Sequence, residues 1–170
     1  MRGIERPPAP ADIGSMGANR ATGALLVAAV GAAVLLVATF QPWYAVRTSP
    51  AGAAVLRQQH VTVVSGSGHL TARLTARQAL TNVSTALIVL AGLALFLSAL
   101  RLGGVIEGSG GGIAAFGLVA ACCVGFRMWH PPNPAPGYIA FSLSWGSWFA
   151  LLGALAVVVG GLRSPYSRLL

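Results

Sequence analysis

Lysine is missing from this 170-residue chain, acids number three (Glu5, Asp12 and Glu107), and only 8% of residues are charged. A water-facing shell around a globular core cannot be assembled from that inventory. General acid–base chemistry needs titratable groups within reach of one another. Here no Asp or Glu lies near His60, His69 or His130 in sequence. The spacing of those histidines matches no usual metal motif, so no metal and no cofactor is expected. Cysteine is scarce too. Cys122 and Cys123 are neighbours within an apolar run, where adjacent thiols do not easily reach disulfide geometry and behave as small hydrophobes. A disulfide framework is thereby excluded.

What the chain has in abundance is uninterrupted apolar sequence: 55% of residues are hydrophobic. Ala21 to Phe40 and Ala79 to Leu100 carry no charge, a third run ends at Phe126, and a fourth extends from Ser144 to Leu162. At ~1.5 Å rise per helical residue, roughly 20 residues cover a ~30 Å hydrocarbon layer. Backbone polar groups in that layer must be satisfied within the segment, and these runs are too long for barrel strands. The expected fold is an all-α membrane protein: an antiparallel bundle of four transmembrane helices over 21–40, 79–100, 108–126 and 144–162. Residues 1–20, with Pro7, Pro8 and Pro10, read as a disordered tail, and 164–170 as a short basic one. The first run exceeds the ~7 to 15 residues of a signal-peptide core and lacks a small-x-small cleavage site, so it reads as retained.

Segment 41–78, between the first two spans, is expected to hold a small extracytoplasmic β-hairpin or sheet. His60–Ser65 and His69–Thr75 are rich in β-branched residues, and Gly66-Ser67-Gly68 supplies a hairpin loop. Leu70, Ala72 and Leu74 alternate with Thr71, Arg73 and Thr75, giving one apolar and one wet face. Tyr44 to Thr48 is a candidate third strand. The connection from Met128 to Phe141 carries Pro131, Pro132, Pro134 and Pro136, which favour extended backbone.

Sidedness follows from arginine. Arg20, Arg101 and Arg163 each abut a span on the terminal side, which places both termini in the cytoplasm of a multi-pass cell (inner) membrane protein. Trp43, Tyr44, Trp129, Tyr138, Trp145 and Trp148 then gather at the outer interface as anchors. Small residues four apart mark candidate packing faces: Ala24, Ala28 and Ala32; Gly104, Gly108 and Gly112; Gly117, Ala121 and Gly125; and Gly153, seven before Gly160. The net charge of +8 is scattered rather than gathered into a stripe, which argues against nucleic acid and for anionic headgroups or an acidic protein partner. Arg47, Arg57, Arg73, Arg77 and Arg127, on an outer side without acids, are the candidate partner-binding residues.

Four spans with a strand-bearing first outer segment resemble the claudin-like layout. Phe40-Gln41-Pro42-Trp43-Tyr44, Trp145-Gly146-Ser147-Trp148 and Gly160-Gly161 resemble closures seen in small actinobacterial membrane proteins. Claudins pair cysteines in the first outer segment; this chain has none there, so a paracellular barrier is not implied. Some small multi-span proteins of this type are accessory subunits of envelope complexes, including Mce-type lipid importers. The resemblance implies a non-enzymatic accessory or scaffolding role beside other integral membrane subunits, in contact with membrane lipids. The competing readings are a small transporter or channel, with Glu107 and Gly108–Gly112 lining a path, and an integral membrane enzyme acting on lipid.

Overall fold

The computed structural model describes residues 12–58, 63–66, 69–75, 81–106, 108, 110–131 and 139–164. In chain order these form α1 (Asp12–Ala38), β1 (Pro42–Thr48), α2 (Pro50–Gln58), β2 (Val63–Gly66), β3 (His69–Thr75), α3 (Thr81–Leu102), α4 (Gly111–Trp129), β4 (Ile139–Leu143) and α5 (Trp145–Arg163). Four of the helices, α1, α3, α4 and α5, are long and apolar enough to cross a membrane, the pattern of a multi-pass membrane protein.

These four pack in a ring, α1 beside α3 and α5, and α4 beside α3 and α5. Gly160 of α5 meets Ala24 and Ala28 of α1, while Gly153 meets Gly31 and Leu35, so the pair runs antiparallel. Alanine fills the interior: Ala28, Ala32, Ala91, Ala94, Ala120 and Ala154 are all buried. Lipid supplies no hydrophobic drive between helices, so close backbone approach over small side chains carries the association. Large side chains such as Val30, Phe96, Leu118, Phe126 and Leu152 turn outward, as a lipid-facing surface requires.

A four-stranded antiparallel sheet in the order β2-β3-β1-β4 closes one end of the bundle. Its inner face, Tyr44, Val46, Ala72, Leu74 and Phe141, packs on Leu35, Leu87, Val124 and Ala150 from the four long helices. This sheet is larger than expected and draws on both connections. The β4 strand comes from the segment between α4 and α5 and pairs with β1 from Tyr44↔Leu143 to Thr48↔Ile139. Strand β3 coincides with the expected 69–75, whereas β2 begins at Val63 within the expected 60–65 and takes in Gly66 from the expected loop, and β1 begins at Pro42, two residues before the expected Tyr44; residues 60–62 lie outside the described residues.

Several expected boundaries differ. Residues 12–20, expected as disordered tail, are helical, because extending a nucleated helix adds one hydrogen bond per residue fixed. Residues 1–11 and 165–170 lie outside the described residues. The third span starts at Gly111 rather than 108, since Gly104 (φ 68°) and Gly108 (φ 152°) hold conformations that turn the chain before it. Helix α2 was not expected; Ser49-Pro50 is its start signal, with proline at the first helical position.

Trp43 and Tyr44 are not interfacial anchors but core residues, 0% and 1% exposed. The indole Nε1–H of Trp43 donates to the Ala38 carbonyl at 2.7 Å, capping the end of α1, and the Trp43 carbonyl accepts from Ser144 N–H at 2.8 Å. One residue thus ties α1, β1 and the start of α5 together, with Gly146 pressed against the Pro42 carbonyl. The Tyr44 hydroxyl donates to the Arg127 carbonyl at 2.9 Å, and its ring meets Phe141 edge-on.

Burial raises the Tyr44 phenol above its ordinary range near 10, opposed by the nearby Arg127 charge. The unfolded phenol ionises at lower pH than the folded one. Tyr44's contribution is therefore complete below about pH 10 and is lost as pH rises through the folded value. Tyr44→Phe is expected to cost about 1 kcal/mol at neutral pH and to flatten the loss of stability above about pH 10. Thermal unfolding in detergent across that range measures both.

Candidate functional site

Register decides which side chains share the outward face of the sheet. Ala45 stands opposite Arg73 on one side and Ser142 on the other, and Arg47 stands opposite Thr71 and Ala140. Because side chains alternate along a strand, Arg47 and Arg73 lie on one face as diagonal neighbours, about 7–8 Å apart between Cα atoms. Both are exposed. With Ala45, Thr71 and Ser142 they line a hollow of about 650 Å³ over the sheet. The Ser142 hydroxyl donates to the Ala45 carbonyl at 3.0 Å, which stiffens the β1–β4 pair beside it.

The electrostatics are one-sided. Helix α1 opens at Asp12, at the end away from the sheet and about 40 Å along a helix of 27 residues. Glu107 lies outside the described residues. Two guanidinium groups with no carboxylate beside them among the described residues, carried on neighbouring strands, present a pair of donors to an anionic group, which arginine's fork matches bidentately.

The other candidate arginines are placed differently. Arg57 and Arg127 stand in the last turns of α2 and α4, as Arg101 and Arg163 do in α3 and α5, where a cation complements the carbonyl end of the helix dipole. That local role accounts for their positions, so Arg47 and Arg73 are the pair left over for a partner. Arg77 lies outside the described residues.

Around the sheet, Trp129 (83% exposed), Trp145 and Trp148 turn outward at the same end of the bundle, as an aromatic belt would. Tyr138 lies outside the described residues. His130 is exposed and stacks on Phe126 with ring centres 4.8 Å apart. His60 lies outside the described residues, and no cluster of three His, Cys, Asp or Glu forms among those described. Three buried hydroxyls are turned onto backbone: Thr39 donates to Leu36 O, Ser98 to Ala94 O and Ser147 to Ser144 O, each at 2.7–2.8 Å, while the Ser164 hydroxyl accepts from the Arg101 guanidinium at 3.2 Å.

Of the candidate packing residues, Ala24, Ala28, Ala32, Gly117 and Gly153 are buried between helices, and Ala121 lies half-buried against the core. Gly104, Gly112 and Gly125 face open space, where an added Cβ would meet nothing within 4 Å, and Gly108 approaches only the Arg101 guanidinium. Four-residue spacing shows that residues share a face, not that the face turns inward. Gly31, Gly110, Gly146 and Gly161 make close approaches that spacing did not single out. Compared with protein-family models, curated proteins and solved structures, the chain has no match.

Proposed function

We propose that this chain is a non-enzymatic accessory subunit of a cell-envelope membrane complex. It sits as a multi-pass protein in the cell membrane with both termini in the cytoplasm, and its sheet docks an acidic extracytoplasmic surface of another subunit. The observation that carries this reading is the Arg47–Arg73 pair on the outward sheet face, beside a hollow and without a carboxylate neighbour among the described residues. Two cations on neighbouring strands steer an acidic partner and set its register. The edge strands β2 and β4 offer further backbone donors and acceptors for strand addition. The Ser98 and Ser147 hydroxyls bonded to local backbone, and an alanine-filled interior, suit a scaffold better than a conduit. That the complex moves lipid rests on the resemblance to small subunits of Mce-type importers.

Tagged chain purified in nanodiscs is expected to bring down an integral membrane subunit with an acidic outer domain. The double variant Arg47→Glu and Arg73→Glu is expected to lower that recovery by about tenfold or more, with the bundle still folded. Recovery of the bait alone, or undiminished recovery with both charges reversed, would sink the docking role.

A further inference from the structure

The seam between α1 and α5 carries two hollows on its outer side, and they differ in chemistry. The one at the sheet end is lined by Val30, Val34, Val37, Gln41, Trp145 and Phe149 and holds no charge. The other, at the opposite end, has a volume of about 390 Å³ and is lined by Gly23, Ala24, Val27, Val159, Gly160 and Arg163. Its floor exists because Gly160 lies directly on the backbone of Ala24 and Ala28, so the two helices touch without side chains between them. Val27 and Val159, both exposed, stand as its walls. Gly23 leaves its upper part open, since a Cβ there would meet nothing within 4 Å.

Arg163 is exposed at the mouth. Arg20 stands one helical turn before Gly23 on α1, at the same end. Asp12, the one acid on either helix, is two further turns away, about 12 Å along α1. An apolar slot running into the layer, with the Arg163 guanidinium at its mouth, has the polarity of an acyl chain ending in an anionic headgroup. A second copy of α1 and α5 laid in the seam would cover Arg163 and strip its water, and the apolar spans of those helices carry no acid to serve as counter-charge. A free anion would gain nothing from the valine walls.

We propose that this groove binds one anionic phospholipid, with an acyl chain between Val27 and Val159 and the phosphate on Arg163. The site depends on the helices crossing a membrane and not on the docking role of the sheet.

The full chain, delipidated in detergent and offered equal amounts of phosphatidylglycerol and phosphatidylcholine, can be read by native mass spectrometry. Wild type is expected to retain one phosphatidylglycerol per chain with about fivefold preference, undisturbed by excess inorganic phosphate. Arg163→Gln should remove the preference. Gly23→Leu should fill the slot and abolish retention, while Gly112→Leu, equally open but on α4, should leave it unchanged. Val159→Trp gives the same reading as Gly23→Leu should that variant fail to fold. Equal retention of both lipids by wild type, retention surviving Gly23→Leu and Val159→Trp, equal loss with Gly112→Leu, or a dimer of the chain that Gly23→Leu dissolves would each overturn the site.

Discussion

Gly153→Val is expected to destabilise the bundle by about 3 kcal/mol or more, at the upper end of what overpacking costs. A Cβ at this position would stand 2.8 Å from both the Gly31 carbonyl and the Leu35 nitrogen. Those are backbone atoms of a regular helix and cannot rotate away. The reciprocal contact tightens the constraint, because a Cβ on Gly31 would lie 2.7 Å from the Ala156 Cβ and 2.8 Å from the Gly153 carbonyl. The two helices can only separate, and separation uncovers Ala28, Ala32 and Ala154 along the whole crossing. Gly125→Ala should do the opposite. Its Cβ meets nothing within 4 Å, so the helix gains about 0.5–1 kcal/mol of intrinsic propensity. Unfolding by sodium dodecyl sulfate in mixed micelles, followed by circular dichroism, measures both. Equal effects from the two glycines would refute the α1/α5 crossing as described.

Trp43→Ala carries the second large effect, about 3–5 kcal/mol. The indole is fully buried between bundle and sheet, and its N–H also caps α1 at the Ala38 carbonyl. Truncation removes the side chain that joins the last turn of α1 to the inner face of the sheet. Trp43→Phe should recover much of the packing and still cost about 1–2 kcal/mol for the lost donor. Trp148→Ala, at a position 54% exposed, should stay below about 1 kcal/mol. Thermal unfolding in detergent separates the three. An anchor role for Trp43 would instead make it equivalent to Trp148 and sensitive to bilayer thickness.

The contrast between these two tryptophans shows how far sequence reaches. Both sit at span ends, and composition treats them alike. Their fates diverge because Pro42 and the irregular pairing between Pro42 and Tyr44 rotate Trp43 inward, whereas Trp148 occupies the outer side of α5. The same holds for glycine: Gly117 and Gly125 belong to one four-residue series, yet Gly117 lies against Ala154 and Val157 of α5 and Gly125 against nothing. In the sheet, alternation in Leu70–Thr75 correctly separated Ala72 and Leu74 from Arg73. No local pattern could pair Arg73 with Arg47, because that neighbourhood is a matter of register between strands distant in sequence.

Sequence by itself determined that four long apolar helices form and roughly where each begins and ends, since an unpaired backbone in hydrocarbon is too costly for a run to do anything else. It also determined that acids would be nearly absent and that strands would follow the first span. Only the tertiary structure decided which small residues meet, that β4 joins β1 from the other connection, and that Arg47 and Arg73 share an outward face. Periodicity is measured about an element's own axis, whereas packing depends on the rotation and stagger of one axis against another, and those are set only when all the elements are present together.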